Sequence, residues 1–235
     1  MRLYNINIGH MSTATTTIDN VISNTIEIMD LGKCSYAKAW DYQREIHEKR
    51  KLQSVNDTLI LVEHEPVYTL GKNADENHIL QHIPKEVKTF RIERGGDVTY
   101  HGPGQIVGYP ILDLRNYRPS VSWYMRQLEE VIILTLKEFD INGERKDGLT
   151  GVWVGDEKIA ALGVRISRWV TMHGFALNVN TDLSFYEGII PCGIIEYGVT
   201  SMAADLRQPV EFENVKKTIM NIFQQHFLSK QLADI

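Results

Sequence analysis

Residues 94–105 read RGGDVTYHGPGQ, and no other stretch of the chain restricts its fold as tightly. A strand-like run from Thr89 to Glu93 leads into Gly95-Gly96, and Gly102-Pro103-Gly104 turns the chain into a second apolar run from Gln105 to Leu114. Glycines beside such a turn let the backbone bend sharply and let a ligand approach it to van der Waals distance. A hairpin with glycines at its bends would explain the glycines alone. It does not explain Arg94, Asp97, Thr99, Tyr100, His101 and Gln105, which crowd hydrogen-bonding groups around bare main chain. The expectation is a central hairpin that also meets a ligand.

The flanking segments say what this hairpin belongs to. A polar, Thr-rich leader is expected over 1–24, and a single catalytic domain over 25–235. A short strand at 25–29 precedes a helix from Ser35 to about Arg50, with Tyr36, Trp40, Gln43 and His47 on one face. The unbroken apolar run at 58–63, TLILVE, marks a strand covered on both faces. Val67 to Leu70 reads as its partner. Pro119-Ser120 opens an amphipathic helix to about Phe139, with Val121, Tyr124, Leu128, Val131, Thr135 and Phe139 inward. Runs at 151–155, 158–167 and 170–178 predict an antiparallel meander, and short and long helices near 201–206 and 214–227 close the chain. Without strict βαβ alternation, the α/β class takes its α+β form here: a mixed sheet with helices packed on it.

Composition excludes several functions. A net charge of −5 is wrong for a general nucleic-acid binder. No apolar run is long enough to span a membrane. Cys34 and Cys192 are the only cysteines, too few for a disulfide framework or a thiolate zinc site, and a reducing, cytoplasmic setting is expected. No Walker or Rossmann pattern follows the glycines, and no histidine spacing suits a metal.

The candidates for chemistry are few. Cys192 stands in a loop between Pro191 and Gly193. A lone cysteine is more often a small buried hydrophobe, but this one has room beside its sulfur. Lys158 opens an otherwise apolar strand, KIAALGV. Such a lysine commonly keeps its head in water; held against a thiol, it would stabilise the thiolate and pass protons. His101 and His173, each beside a glycine-rich turn, are alternative bases.

Four blocks carry a family resemblance: RGGDVTYHGPGQIVGYPILDL at 94–114, KIAALGVR at 158–165, HGFALNVNTDL at 173–183 and IPCGI at 190–194. In this order they resemble the octanoyltransferases of lipoate biosynthesis, the lipoyl(octanoyl) transferase family. The resemblance implies a biotin/lipoate ligase-like fold, related to class II aminoacyl-tRNA synthetases. It implies Cys192 as the acyl-accepting nucleophile and Lys158 as the residue that lowers its pKa and shuttles protons. Arg94, Gly95, Gly96, Asp97, Val98, Thr99, Tyr100 and His101 match the substrate-contacting segments, as do Ala161, Leu162, Gly163, Gly174, Phe175 and Ala176.

The donor so implied is octanoyl-acyl carrier protein, with no other cofactor. The acceptors are lysines of lipoyl domains in 2-oxoacid dehydrogenase complexes and of the glycine cleavage H protein. Neither nucleic acid nor membrane is involved. Thioester exchange is nearly balanced and thioester to amide runs downhill, so no ATP is needed. An apolar slot beside Gly95-Gly96 and Ala161–Gly163 is required; burying roughly six methylenes at about 0.8 kcal/mol each favours octanoyl by around 5 kcal/mol over short acyl groups. Arg94, Arg165 and Arg168 are expected as a basic rim for an acidic carrier. Two rival readings are an ATP-dependent lipoate or biotin ligase on the same fold and a non-catalytic module that binds acyl carriers or lipoyl domains.

Overall fold

A strand as apolar as TLILVE is stable only with neighbours on both edges and layers on both faces, and that is where it lies. In the computed structural model, which describes residues 2–4, 25–80, 87–189 and 197–231, this run is β3 (Asp57–His64). It pairs in parallel with β2 (Ile26–Cys34) and antiparallel with β7 (Gln105–Ile111). Beyond β7 come β11 (Val170–Asn178), β10 (Glu157–Ser167), β9 (Leu149–Val154) and β8 (Glu144–Lys146), all antiparallel. The expected meander is therefore half of one mixed sheet. At its other edge β1 (Arg2–Tyr4), which falls inside the expected leader, pairs antiparallel with β2. Residues 5–24 lie outside the described set.

The hairpin expectation needs correcting. The segment before the glycines becomes β5 (Lys88–Arg91), and VTYH becomes β6 (Val98–His101). Both flank β4 (Val67–Leu70) in a separate three-stranded sheet ordered β5-β4-β6. So β4 is not the partner of β3, and β6 does not pair with β7. The Gly-Pro-Gly turn carries the chain from the small sheet to the large one. Gly104 makes this possible with φ +76°, while its carbonyl accepts from the backbone of Val179 and Asn180 (3.2 and 2.9 Å). A hairpin turn has no use for such long-range anchors.

Helix α1 (Tyr36–Lys51) covers one face of the large sheet, over Ile60, Val62, Val107, Tyr109 and Ala176. Helices α2 (Val121–Lys137) and α4 (Phe212–Leu228) cover the other, with Leu128, Val131, Ile132, Ile219, Phe223 and Phe227 in the main core. Ser120 caps α2 by accepting from the backbone of Trp123. Val121, expected inward, is 51% exposed because it opens the helix at its N-terminus. The short α3 (Met202–Leu206) follows β12 (Gly198–Val199), which runs parallel to the start of β10. Among the described residues no helix is long and apolar enough to cross a membrane.

Candidate active site

On the α1 side of the large sheet, β7, β10 and β11 floor a mainly apolar cavity of about 480 Å³. The register puts small residues in facing rows: Ala161 opposite Ala176, and Gly163 opposite Gly174. With these side chains so short, the floor is close to bare main chain. The RGG segment forms a wall by lying directly on it. Gly95 donates to the Val164 carbonyl at 3.0 Å, and a Cβ on Gly163 would come within 3.0 Å of both Arg94 Cδ and the Gly95 carbonyl. The glycine pairing is what lets loop and sheet close on each other.

Arg94 holds that wall in place. Its guanidinium is buried and donates to the carbonyl and hydroxyl of Thr69 (2.7 and 3.0 Å) and to the Gly95 carbonyl (3.0 Å). Buried in this way, it cannot serve in a surface rim, and Arg165 is engaged with Glu93 at 3.5 Å. Asp97 accepts from the Val98 backbone at 2.7 Å and meets His78 Nδ1 at 2.5 Å. Gly95, Gly96, Asp97, Val98, Thr99 and His101 line the cavity with Ala161, Leu162, Gly163, Gly174, Phe175 and Ala176. Tyr100 does not. Strand alternation turns it the other way, where it stacks on Phe185 at 4.7 Å and packs against Tyr68 and Tyr186.

His101 and His173 sit toward the Tyr36 and Tyr109 end. His101 Nδ1 meets Gln105 Oε1 at 2.8 Å, and Gln105 Nε2 donates to Asn178 Oδ1 at 2.9 Å. Gln105 thus offers an acceptor to a neutral, Nδ1-protonated ring. Burial above all, then the neighbouring His64, pushes the His101 pKa down to about 3. Burial, then Arg94, does the same to His173, also to about 3. His173 adopts a left-handed backbone, φ +59°, and lies 3.8 Å from Glu93.

Lys158 lies at the other end of the cavity, five residues and about 16 Å along β10 from Gly163. Its ammonium sits 4.8 Å from the centre of the Trp153 ring. Val199 pairs with Lys158, and the Thr200 backbone donates to the Lys158 carbonyl at 3.0 Å. Cys192 lies outside the described residues. On one side of its segment Ile189 bridges to Ile79; on the other, the chain is anchored from Tyr197 beside β10. Cys34, taken from the sequence as structural, is buried at the end of β2.

The sequence reading missed Tyr36, Tyr109, Asn178 and Tyr186 as cavity residues. Asn178 was legible as a lone amide ending an apolar strand inside the HGFALNVNTDL block. Tyr36 had no such signal, since only the docking of α1 brings it in. Among the described residues no group of three or more His, Cys, Asp or Glu could hold a metal ion.

Residues 35–224 match the lipoyl protein ligase A/B catalytic domain. This chain belongs to that family. An octanoyltransferase of Flavobacterium psychrophilum is 48% identical over 228 residues, covering 88% of this chain and 98% of the relative. One from Gloeobacter violaceus is 53% identical over 168 residues, 71% of this chain and 75% of the relative. The family member described here is accordingly an acyltransferase.

Solved structures agree on the fold. The archaeal lipoylation system of Thermoplasma acidophilum, a bipartite lipoate protein ligase and its E2 lipoyl domain, matches with TM-score 0.62 at 14% identity, over 85% of this chain and 82% of that one. The biotin protein ligase of Aquifex aeolicus matches with TM-score 0.50 at 12% identity, over 89% and 73%. The fold is thus the one these lipoate and biotin protein ligases share.

Proposed function

We propose that this chain transfers an octanoyl group from octanoyl-acyl carrier protein to a lysine of lipoyl domains, through a thioester on Cys192, as the first step of endogenous protein lipoylation. The observation that carries the reading is the apolar slot, floored by Gly163 and Gly174 and ending at Lys158, in a chain 48% identical to an octanoyltransferase. Lys158 takes the proton of the Cys192 thiol, leaving a thiolate beside an ammonium. The thiolate attacks the octanoyl thioester carbon: a new C–S bond forms, the carrier's C–S bond breaks, and the carrier thiol leaves with the proton from Lys158. The acceptor amine then attacks the acyl-enzyme, an amide forms, and the Cys192 thiolate is released as Lys158 receives the amine proton.

No nucleotide or metal takes part in these steps. The acceptors in this reading are the lipoyl domains of 2-oxoacid dehydrogenase complexes and the glycine cleavage H protein. A free thiolate nucleophile needs a reducing compartment, which supports a cytoplasmic location. The test is to incubate the protein with octanoyl-acyl carrier protein, without nucleotide, and to seek the octanoyl adduct by peptide mass spectrometry. An adduct on Cys192 that passes to a lipoyl domain is expected. Transfer that demands ATP and free octanoate would replace this reading with a ligase.

A further inference from the structure

Resting on the reading of Lys158 as the cation beside Cys192, we propose that Trp153 is a positioning residue, whose indole fixes the Lys158 ammonium and anchors the chain that returns after Cys192. Trp153 stands directly opposite Lys158 in the β9–β10 register. It is buried and does not line the cavity, so any effect on the reaction must pass through another residue.

Three contacts define the arrangement. The Lys158 stem crosses Gly151, where a Cβ would stand 3.2 Å from Lys158 Cε and 2.9 Å from the Ala160 carbonyl, so β9 leaves a groove for the stem. The groove delivers Nζ to 4.8 Å from the Trp153 ring centre. Tyr197 packs edge-on against the same indole at 5.3 Å, which ties the segment after Cys192 to the residue that holds Lys158. An aromatic face attracts an ammonium and not an amine, and indole does so most strongly.

Among the described residues, other charged groups lie near the indole and Lys158. Lys146 on β8 lies 4.6 Å from the Tyr197 ring and 5.3 Å from the Trp153 ring, and it pairs with Asp156 at 2.5 Å. Glu129 on α2 receives the Gly151 backbone at 3.3 Å and is engaged by Arg126 and Arg145. Glu157 adjoins Lys158 on β10 and packs against Gly198. Glu129 and Asp156 thus have cationic partners of their own, and the indole face lies within cation–π range of the Lys158 ammonium.

The experiment uses the full chain as wild type, Trp153→Phe and Trp153→Leu, each also in a Lys158→Met background. Cys192 alkylation is followed against pH with the site read by peptide mass spectrometry, alongside kcat and KM for octanoyl transfer. Trp153→Leu is expected to slow alkylation at pH 7 by about three- to tenfold and to raise its midpoint, with KM for the octanoyl carrier little changed. Trp153→Phe, which keeps a weaker aromatic face, shifts less in the same direction. With Lys158→Met in place, neither change at Trp153 should move the midpoint further. Should Trp153→Leu fail to fold, the Phe variant and its cycle decide the matter. An unmoved midpoint, or an equal shift with and without Lys158, overturns the proposal. A wild-type Cys192 that titrates as an ordinary thiol and takes no acyl group overturns the reading beneath it instead.

Discussion

The two ends of the slot share one sheet floor and differ in the charge of the side chains they present. At the Lys158 end an ammonium rests on Trp153, with Lys146 on the same aromatic pair. At the far end, His101 and His173 are pushed down to about 3 and His64 to about 4, in each case chiefly by burial. Those rings are neutral at physiological pH. His64 sits between the Cys34 carbonyl at 2.9 Å and the Tyr109 hydroxyl at 2.8 Å, which occupies both of its nitrogens. His101 and His173 therefore present uncharged rings to the cavity, with His64 behind them, and the Arg94 guanidinium beside them is turned into hydrogen bonds with Thr69 and Gly95, while the Lys158 ammonium lines the opposite end. Histidine count is a poor guide to the base here, because desolvation keeps these rings neutral and makes them weak bases.

The comparison breaks most visibly if the charged end is emptied. Lys158→Ala is expected to slow octanoyl transfer by about 10²- to 10⁴-fold near neutral pH, with thermal unfolding little changed. A rate within tenfold of wild type would move the chemistry elsewhere. Removing either far-end histidine should do far less to the rate.

The far end instead shows itself in stability. A histidine whose folded pKa is depressed binds fewer protons folded than unfolded, so its stabilising effect is complete above about pH 6.5 and is lost as pH falls toward about 3 or 4. Each such ring should withdraw about 1.4 kcal/mol per pH unit across that window, roughly 2 kcal/mol by pH 5. Unfolding midpoints measured from pH 7.5 to 4.5 should fall on the acid side only, and His101→Gln should flatten the slope. A curve level down to pH 4.5 would mean the far end is not sealed.

Much of this was legible in residues. The meander, α1, α2 and α4 followed from periodicity and caps, because their apolar faces meet a single large layer. The partnering of β4, β5 and β6 was not, since four-residue strands carry no sign of which sheet they join. The site was legible where it is made of short-range signals: Gly163 and Gly174 within their blocks, Lys158 at the head of an apolar strand. Trp153 escaped notice because its partner lies across a strand pair, where period-two reading sees only a buried aromatic. Val121 was read inward because helical spacing says nothing of where a helix begins.

The glycine floor joins the two ends, and Gly163→Ala tests whether it must stay bare. Its Cβ would press the Gly95 carbonyl and Arg94 Cδ at 3.0 Å, with backbone on one side and, on the other, a side chain whose guanidinium is tied to Thr69 and Gly95. A loss of about 1–3 kcal/mol is expected, together with a higher KM for the octanoyl carrier as the wall lifts from the floor. Chemical denaturation and steady-state kinetics read the two effects; a stable variant with unchanged KM would show that the loop gives way freely.

The smallest effect on rate should come from Tyr109→Phe, and it sharpens the contrast best. Tyr109 donates to His64 Nε2, whose other nitrogen is held by the Cys34 carbonyl, so deleting the hydroxyl leaves a buried acceptor unpaired. That costs about 1–3 kcal/mol of stability. The wall stays aromatic and uncharged, so the alkyl tail meets nearly the same surface and kcat should stay within about threefold of wild type, a change of well under 1 kcal/mol in the barrier. If kcat fell a hundredfold while stability barely moved, the Tyr109 hydroxyl would be acting on the reacting groups. The far end would then be chemical rather than a lining, and the division between a charged end and a neutral one would fail where it is easiest to measure.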